Sequence, residues 1–325
     1  MGIRHLNRYL RTNCPDSIRN INIADLGGKT IVVDASIYMY KFEGDNMLLE
    51  NMYLMLSIFR HYNIIPIFIF DGKPPPEKNA LLNIRKETKE QARSEFDSLT
   101  NILTNDNDIL TDTGKQDIIS QLDKLKKQFI TLTKYKIQSV KELIEAFGVS
   151  HFTAEGEADI VCVNMVLSKR AWACLSEDMD LFVYGCSRVL RYFGLSSHTA
   201  ILYSMHGILN DLSLTQNEFR LLCIICGTDY NINANGENDN LELSNTFKLY
   251  YKYRNIKVEK TFDEWLHETT GNILDRELIT DISNMFCTKN IDLKMIKNIR
   301  IINTPINDYE IMRLMEPEGF IFVDK

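Results

Sequence analysis

The sequence predicts an α/β fold in which parallel strands lie buried between helices, and two observations carry that expectation. Three short apolar runs, KTIVVD at 29–34, NIIPIFIFD at 63–71 and WACL at 172–175, are continuous rather than alternating, and helix-patterned segments separate them. Continuous runs of this length belong to strands covered on both faces, as those of parallel sheets are. Each run also ends at acids: Asp34, Asp71, and the SEDMD segment with Asp178 and Asp180. Ligands of parallel sheets sit beyond the carboxyl ends of the strands, so these acids fall where a site is expected.

The remaining elements follow in chain order. The opening MGIRHLNRYLRTNCPD is basic and amphipathic and lacks the unbroken apolar segment of a secretory signal. Its Met-Gly start does not make a myristoylation motif, because Leu6 stands where Ser or Thr is required. Residues 46–62 carry apolar side chains at mixed helical spacing, and 134–147 form an amphipathic stretch stopped by Gly148. Between them, 74–127 is charged, helix-prone and poor in β-formers, with a polar break at TNDNDILTDTGK. It reads as two helices joined by a loop, projecting from the sheet. Residues 158–167 are apolar enough to pack on the sheet, and the Asn-rich NINANGENDN at 231–240 reads as an exposed loop. The stretch 248–325 reads as helical and mixed, ending in GFIFVDK, a late strand or a packed tail.

A chain of 325 residues with 45% hydrophobic content can bury a full core. No apolar run approaches the roughly 18 to 20 residues that cross a bilayer, so a membrane is not an expected partner. Seven scattered cysteines suit a reducing compartment. Cys223 and Cys226 form one C-x-x-C inside FRLLCIICG, with no second pair or histidines nearby, and read as small residues of a buried helix rather than zinc ligands. A net charge of −7 argues against a phosphate-bearing partner, unless many acids are gathered in one site and neutralised by metal.

Such a gathering is what the acids suggest. Besides the strand-end residues, Glu157 and Asp159 open the helix after HFTAEGEAD, and Asp229 closes the apolar helix in CGTDY. Any one alone reads as a cap or turn residue, and SEDMD alone as a solvated turn. Brought together, they raise one another's pKa and require cations. Hard divalent ions with oxygen ligands are the natural counter-charge, and Mg²⁺ keeps waters that can be activated. The lack of accompanying His or Cys disfavours zinc. Two ions about 3.5 to 4 Å apart would clamp the attacking and leaving oxygens of a phosphate.

Together these segments resemble the flap endonuclease family of structure-specific 5′-nucleases. MGIRHLNRYL is similar to the family's opening Met-Gly-Ile segment, and VVDAS, FIFDGKPP, EGEAD, SEDMD and CGTDY are similar to its metal-binding motifs, in the same order. The resemblance implies a twisted, mostly parallel central sheet flanked by helices, a PIN-like 5′-nuclease fold. It implies a nuclease core at 1–230, a helical arch inserted at about 74–127 over the active site, and a helical C-terminal region at 231–325 packed on the core. Two Mg²⁺ ions, with Mn²⁺ as a substitute, are implied in the site. Asp34, Asp71, Glu157 and Asp159 fall on the ligands of one ion, and Asp178, Asp180 and Asp229 on those of the other.

Lys78 and Arg85 match the arch cations that contact the scissile phosphate. Seven residues is close to two helical turns, so both point one way, although a solvated basic face has the same spacing. Tyr40 matches a tyrosine on which a base stacks, and otherwise reads as a core residue. Gly2 resembles the family's N-terminal glycine, where a missing side chain lets nucleic acid approach closely. Arg93, Lys124, Lys126 and Lys127 are further candidate phosphate contacts. Glu155 is expected at the helix start and Glu177 in solvent.

The implied activity is Mg²⁺-dependent hydrolysis of 5′-flap, branched or frayed DNA by a monomer, with 5′-exonuclease activity alongside it. An RNA-cleaving relative of the same fold and a catalytically silent nucleic-acid-binding scaffold are the alternatives. Three departures bear on substrate. The family's Gly-x-Gly turn is missing after CGTDY, the segment after Phe42 is short, and no clamp-binding box of glutamine and aromatics stands at the C-terminus. The expected setting is intracellular, in the nucleus, the cytoplasm or a viral factory.

Overall fold

A computed structural model describes residues 3–105, 112–231, 242–256, 259–271, 275–287 and 293–322. Its centre is a seven-stranded sheet in the order β1-β7-β6-β5-β2-β3-β4. The strands are β1 Ile18–Asn22, β2 Thr30–Asp34, β3 Ile65–Phe70, β4 Ser150–Thr153, β5 Ala173–Leu175, β6 Arg188–Gly194 and β7 Thr199–Ser204. Strands β6, β5, β2, β3 and β4 are parallel neighbours, and β7 runs antiparallel to both β6 and β1.

The three apolar runs are β2, β3 and β5, which are adjacent in the sheet. Their side chains alternate between two cores. Val32, Ile67, Ile69 and Cys174 face one layer, while Ile31, Val33, Phe68, Phe70 and Leu175 face the other. Full burial of each large aliphatic or aromatic side chain contributes about 1.5–3 kcal/mol. Strands β1, β4, β6 and β7 are not evident as apolar runs. Edge strand β4 has four residues with only Ser150 buried, and β1 is mostly exposed, so neither needs a continuous apolar segment.

One layer contains α1 (Leu6–Asn13), α7 (Ala158–Leu167), α8 (Asp180–Tyr184) and α10 (Gln216–Cys226). The opposite layer contains α2 (Ala35–Gly44), α3 (Leu48–His61) and α6 (Lys134–Ala146). The charged insertion forms α4 (Asn79–Asn105) and α5 (Asp112–Lys126), which pack on each other. Their base is tied by the Phe96 and Phe129 rings, 5.4 Å apart, and by Lys127 paired with Asp45 at 3.1 Å. A short helix, α9 (Met205–Asp211), precedes α10. Beyond α10 lie α11 (Leu243–Asn255), α12 (Phe262–Thr270), α13 (Arg276–Met285), α14 (Leu293–Asn298) and α15 (Asp308–Met315). Most of the Asn-rich segment, 232–240, lies outside the described residues.

The C-terminal aromatic segment is a packed tail rather than a strand over its described part. Tyr53 of α3 holds the Phe320 and Phe322 rings at 5.4 and 6.2 Å. Upstream, Thr304 N–H donates to Gly148 O at 2.9 Å, and Arg60 donates to Phe147 O, Thr304 O and Asn303 Oδ1. Cys223 is buried and Cys226 half-buried in α10, and both are free thiols. Among the described residues no helix is long and apolar enough to cross a membrane.

Candidate active site

The parallel register gathers the acids. Asp34, the last residue of β2, pairs across to Ile69, so Asp71 emerges beside it two residues later. On the other flank Leu175 pairs with Val33, which brings the segment Ser176–Asp180 to the same end of the sheet. The β4 strand pairs with β3 up to Thr153, and the loop that follows leads to Glu157 at the cap of α7 and Asp159 in its first turn. Gly72 N–H donates to Gly156 O at 2.7 Å, and a Cβ on Gly72 would stand 2.0 Å from Ala154 O. Only glycine permits that approach, which ties the Asp71 loop to the Glu157 loop. Glu155 lies exposed in this loop, ahead of α7, not at the helix start.

Neutral groups orient the carboxylates. Ser176 Oγ donates to Asp34 Oδ2 at 2.9 Å and accepts from Asp178 N–H at 3.1 Å. Asp180 N–H donates to Asp178 Oδ1 at 3.0 Å, and Ala158 N–H donates to Asp71 Oδ1 at 2.8 Å. Tyr230 OH donates to Glu157 Oε2 at 2.6 Å. Sequence reasoning did not single out Ser176 or Tyr230, although each directly adjoins a matched motif acid or its segment.

The cluster is electrostatically unfavourable by itself. Burial, followed by the charge of Asp71, pushes the Asp34 carboxyl up to about 7. Burial and neighbouring carboxylates hold Asp159 and Asp180 well above the usual range, and burial raises Asp178. Asp159 Oδ1 and Asp180 Oδ1 are buried without a hydrogen-bond partner. Buried carboxylate oxygens left unbonded are costly, and an oxygen-loving cation satisfies them.

Side-chain cations supply part of the counter-charge. Lys78 pairs with Glu157 and lies 3.7 Å from Asp229, and Arg85 Nη2 reaches the same Asp229 oxygen at 3.2 Å. Burial works to lower the Lys78 pKa, but Glu157, Asp229 and Asp180 outweigh it and hold the ammonium above the ordinary lysine range. Lys78 is not on the helix with Arg85. It ends the 3-10 turn Pro76–Lys78 ahead of α4, so convergence on Asp229, rather than a shared helical face, brings the two together. In this arrangement no three acids among the described residues are set to enclose an ion. The all-oxygen donors and unbonded carboxylate oxygens nonetheless fit hard divalent cations.

These groups line a cavity of about 900 Å³. Asp34, Asp71, Glu157, Asp159, Asp178 and Asp229 form its acidic side, with Asp180 buried just behind. Lys41, Lys86, Lys89 and Lys127 line it together with Lys78 and Arg85. Tyr40 lines it as well, 44% exposed, with Lys89 Nζ 5.5 Å from its ring centre, so it is no core residue. Arg93 is exposed on α4 and is not part of the lining. Gly2 lies outside the described residues. Glu177, expected in solvent, is half-buried, pairs with Arg191 at 3.4 Å and accepts from Tyr192 N–H.

Acids gathered at the carboxyl ends of a parallel sheet, faced by a lysine and an arginine under a helical hairpin, define a phosphodiester-cleaving nuclease. The XPG N-terminal domain matches residues 1–92 and the XPG I-region matches residues 148–229, together more than half of the chain. Flap endonuclease 1 of Drosophila mojavensis is 28% identical over 317 residues, covering 90% of this chain and 76% of that protein. The catalytic core of Rad2, solved with DNA substrate, superposes with a TM-score of 0.68 at 17% identity over 98% of this chain and 96% of that one. Flap endonuclease-1 from Methanococcus jannaschii gives 0.62 at 21% identity over 93% and 90%. The chain belongs to the flap endonuclease family of structure-specific DNA nucleases.

Proposed function

We propose that this protein hydrolyses phosphodiester bonds of 5′-flap, branched or frayed DNA within the cavity beneath α4 and α5. The observation that carries this reading is the convergence of seven acids, two with unbonded buried oxygens, opposite Lys78 and Arg85. On this reading Asp34, Asp71, Glu157 and Asp159 hold one divalent ion and Asp178, Asp180 and Asp229 a second. Mg²⁺ ions, with Mn²⁺ as a substitute, would supply a water of lowered pKa and charge to stabilise the leaving oxygen. Ser176 and Tyr230 fix the directions in which Asp34 and Glu157 present their oxygens.

Lys78 and Arg85 exchange their carboxylate partners for the scissile phosphate and neutralise the charge that grows on it. Tyr40 offers its exposed ring to a base next to the cut, a contact worth about 1–3 kcal/mol. Unstacking of that base costs a few kcal/mol and is smallest where the duplex is already frayed, which favours branched substrates. Residues 1–230 act as the nuclease core, the 74–127 hairpin as an arch over the cleft, and 231–325 as a region packed on the core. The protein works as a monomer.

The test is end-labelled cleavage with Mg²⁺ or EDTA, comparing a 5′ flap, a blunt duplex, single-stranded DNA and an RNA flap. Mg²⁺-dependent cutting near the flap junction is expected. Binding without cutting of any substrate would refute the nuclease reading for this chain, and preferential cutting of RNA would replace DNA as its substrate.

A further inference from the structure

Beside the acidic cleft, apart from the acids and the arch cations, a second surface is built around Tyr192. Its ring is 41% exposed, yet the residue is fixed from several sides. Its N–H donates to Glu177 Oε1 at 2.6 Å, its hydroxyl accepts from Asn7 Nδ2 at 2.8 Å, and the guanidinium of buried Arg191 stands 5.0 Å from the ring centre. The backbone φ is 55°, a left-handed value that costs a non-glycine residue on the order of 1 kcal/mol or more. The strain sits at the break in register between Arg191 and Gly194, and such bulges re-aim a side chain. Here the bulge aims an aromatic ring at solvent.

The position links the ring to the chemistry. Glu177, which holds Tyr192, lies between Ser176 and Asp178 on the segment that carries two of the acids. On the other side, α1 brings exposed Arg8 and Arg11, with exposed Arg4 in the preceding turn. None of the three is ion-paired among the described residues. Arg11 stands one helical turn from Asn7, whose Oδ1 also accepts from the Tyr203 hydroxyl at 2.7 Å. An apolar partner would need a wide patch, whereas this surface offers one rigid ring flanked by unpaired arginines in a chain of net charge −7. A flat base with phosphates on either side is what that chemistry fits.

We propose that Tyr192 is a stacking platform for the unpaired base at the branch point of the nucleic acid, and that Arg8 and Arg11 hold the adjacent phosphates. The inference rests on the nuclease reading above and adds a second base contact on β6, distinct from that of Tyr40 on α2.

The test places 2-aminopurine at the branch point of a 5′-flap DNA and measures fluorescence and Kd with Ca²⁺ in place of Mg²⁺, for wild type, Tyr192→Phe and Tyr192→Asn. Asparagine tolerates the left-handed backbone, so that variant removes the ring and keeps the bulge. Wild type and Tyr192→Phe are expected to change the 2-aminopurine signal. Tyr192→Asn should lose the change and bind about 5- to 150-fold more weakly, the range that base stacking supplies. The double variant Arg8→Gln/Arg11→Gln, on an exposed face and independent of how Tyr192 variants fold, should lower the slope of log Kd against log salt by about 1 to 2. Wild-type affinity and signal in Tyr192→Asn would overturn the platform. A wild type that cuts the flap with Mg²⁺ but shows no base signal on binding would overturn it too, leaving the nuclease reading intact. Failure of wild type either to bind or to cut branched DNA would remove both.

Discussion

Ser176 and Tyr230 each hold one carboxylate in place through a hydroxyl hydrogen bond. Ser176→Ala frees Asp34 Oδ2 and Asp178 N–H together, and Tyr230→Phe frees Glu157 Oε2. Either change is expected to weaken divalent-cation affinity by about 10- to 100-fold, the usual effect of losing a group that orients a ligand. Calorimetric titration with Mn²⁺ measures it directly. Lys78→Ala and Arg85→Ala should instead leave cation affinity near wild type or above it and, on the proposed reading that they meet charge on the phosphate, reduce single-turnover cleavage by about 10²- to 10³-fold. Asp34 makes stability depend on pH. Its carboxyl, at about 7 in the folded chain, binds its proton more tightly than in the unfolded chain, where the ordinary value is 3.8. The folded state therefore holds more protons between those values, and stability of the metal-free protein falls as pH rises from about 4 through 7. Thermal melts in EDTA should show this decline, and Asp34→Asn should make it shallower without abolishing it, because Asp159, Asp178 and Asp180 are raised as well.

At the scale of elements, the insertion and the C-terminal segment are anchored by different means. The α4/α5 hairpin stands on the Phe96–Phe129 contact and the Lys127–Asp45 pair, the latter on the short turn that follows Phe42. The C-terminal segment is strapped to the sheet edge by Arg60, whose guanidinium bonds reach Phe147 O and Thr304 O, and by aromatic packing on Tyr53. Arg60→Ala leaves those carbonyls without their donor, at a cost of about 1–3 kcal/mol. Urea unfolding should register that loss while turnover on DNA stays at the wild-type level, since Arg60 lies outside the cavity lining. Gly72→Ala has the opposite profile. It pushes a methyl group into Ala154 O and separates the loops that carry Asp71 and Glu157, so cleavage should fall far more than stability.

For the whole molecule, the acidic net charge hides a local concentration of cations. The chain carries −7, yet six lysine or arginine side chains line the cavity that holds most of the acids. On the reading proposed above, cations held by the acids would free Lys78 and Arg85 from Glu157 and Asp229 to act on phosphate. Binding of DNA should therefore weaken steeply with salt, and Lys86→Gln/Lys89→Gln should reduce the slope of log Kd against log salt by about 2 if both contact phosphate. An unchanged slope would place the strand elsewhere.

Much of this was legible in the residues themselves. Continuous apolar runs located β2, β3 and β5, because strands buried on both faces leave no polar alternation. Helical spacing and a glycine stop located α3 and α6 within one or two residues. The acids at strand ends pointed to one site, since register in a parallel sheet carries all such ends to one edge. Edge strands β1 and β4 were hidden because half-exposed pairing needs no apolar signature. The convergence of Lys78 and Arg85 on Asp229, the tethers from Ser176 and Tyr230, and the aimed ring of Tyr192 belong to tertiary structure alone. Each joins residues far apart in the chain, and a contact of that kind is decided by how packed elements meet, not by the local pattern that forms them.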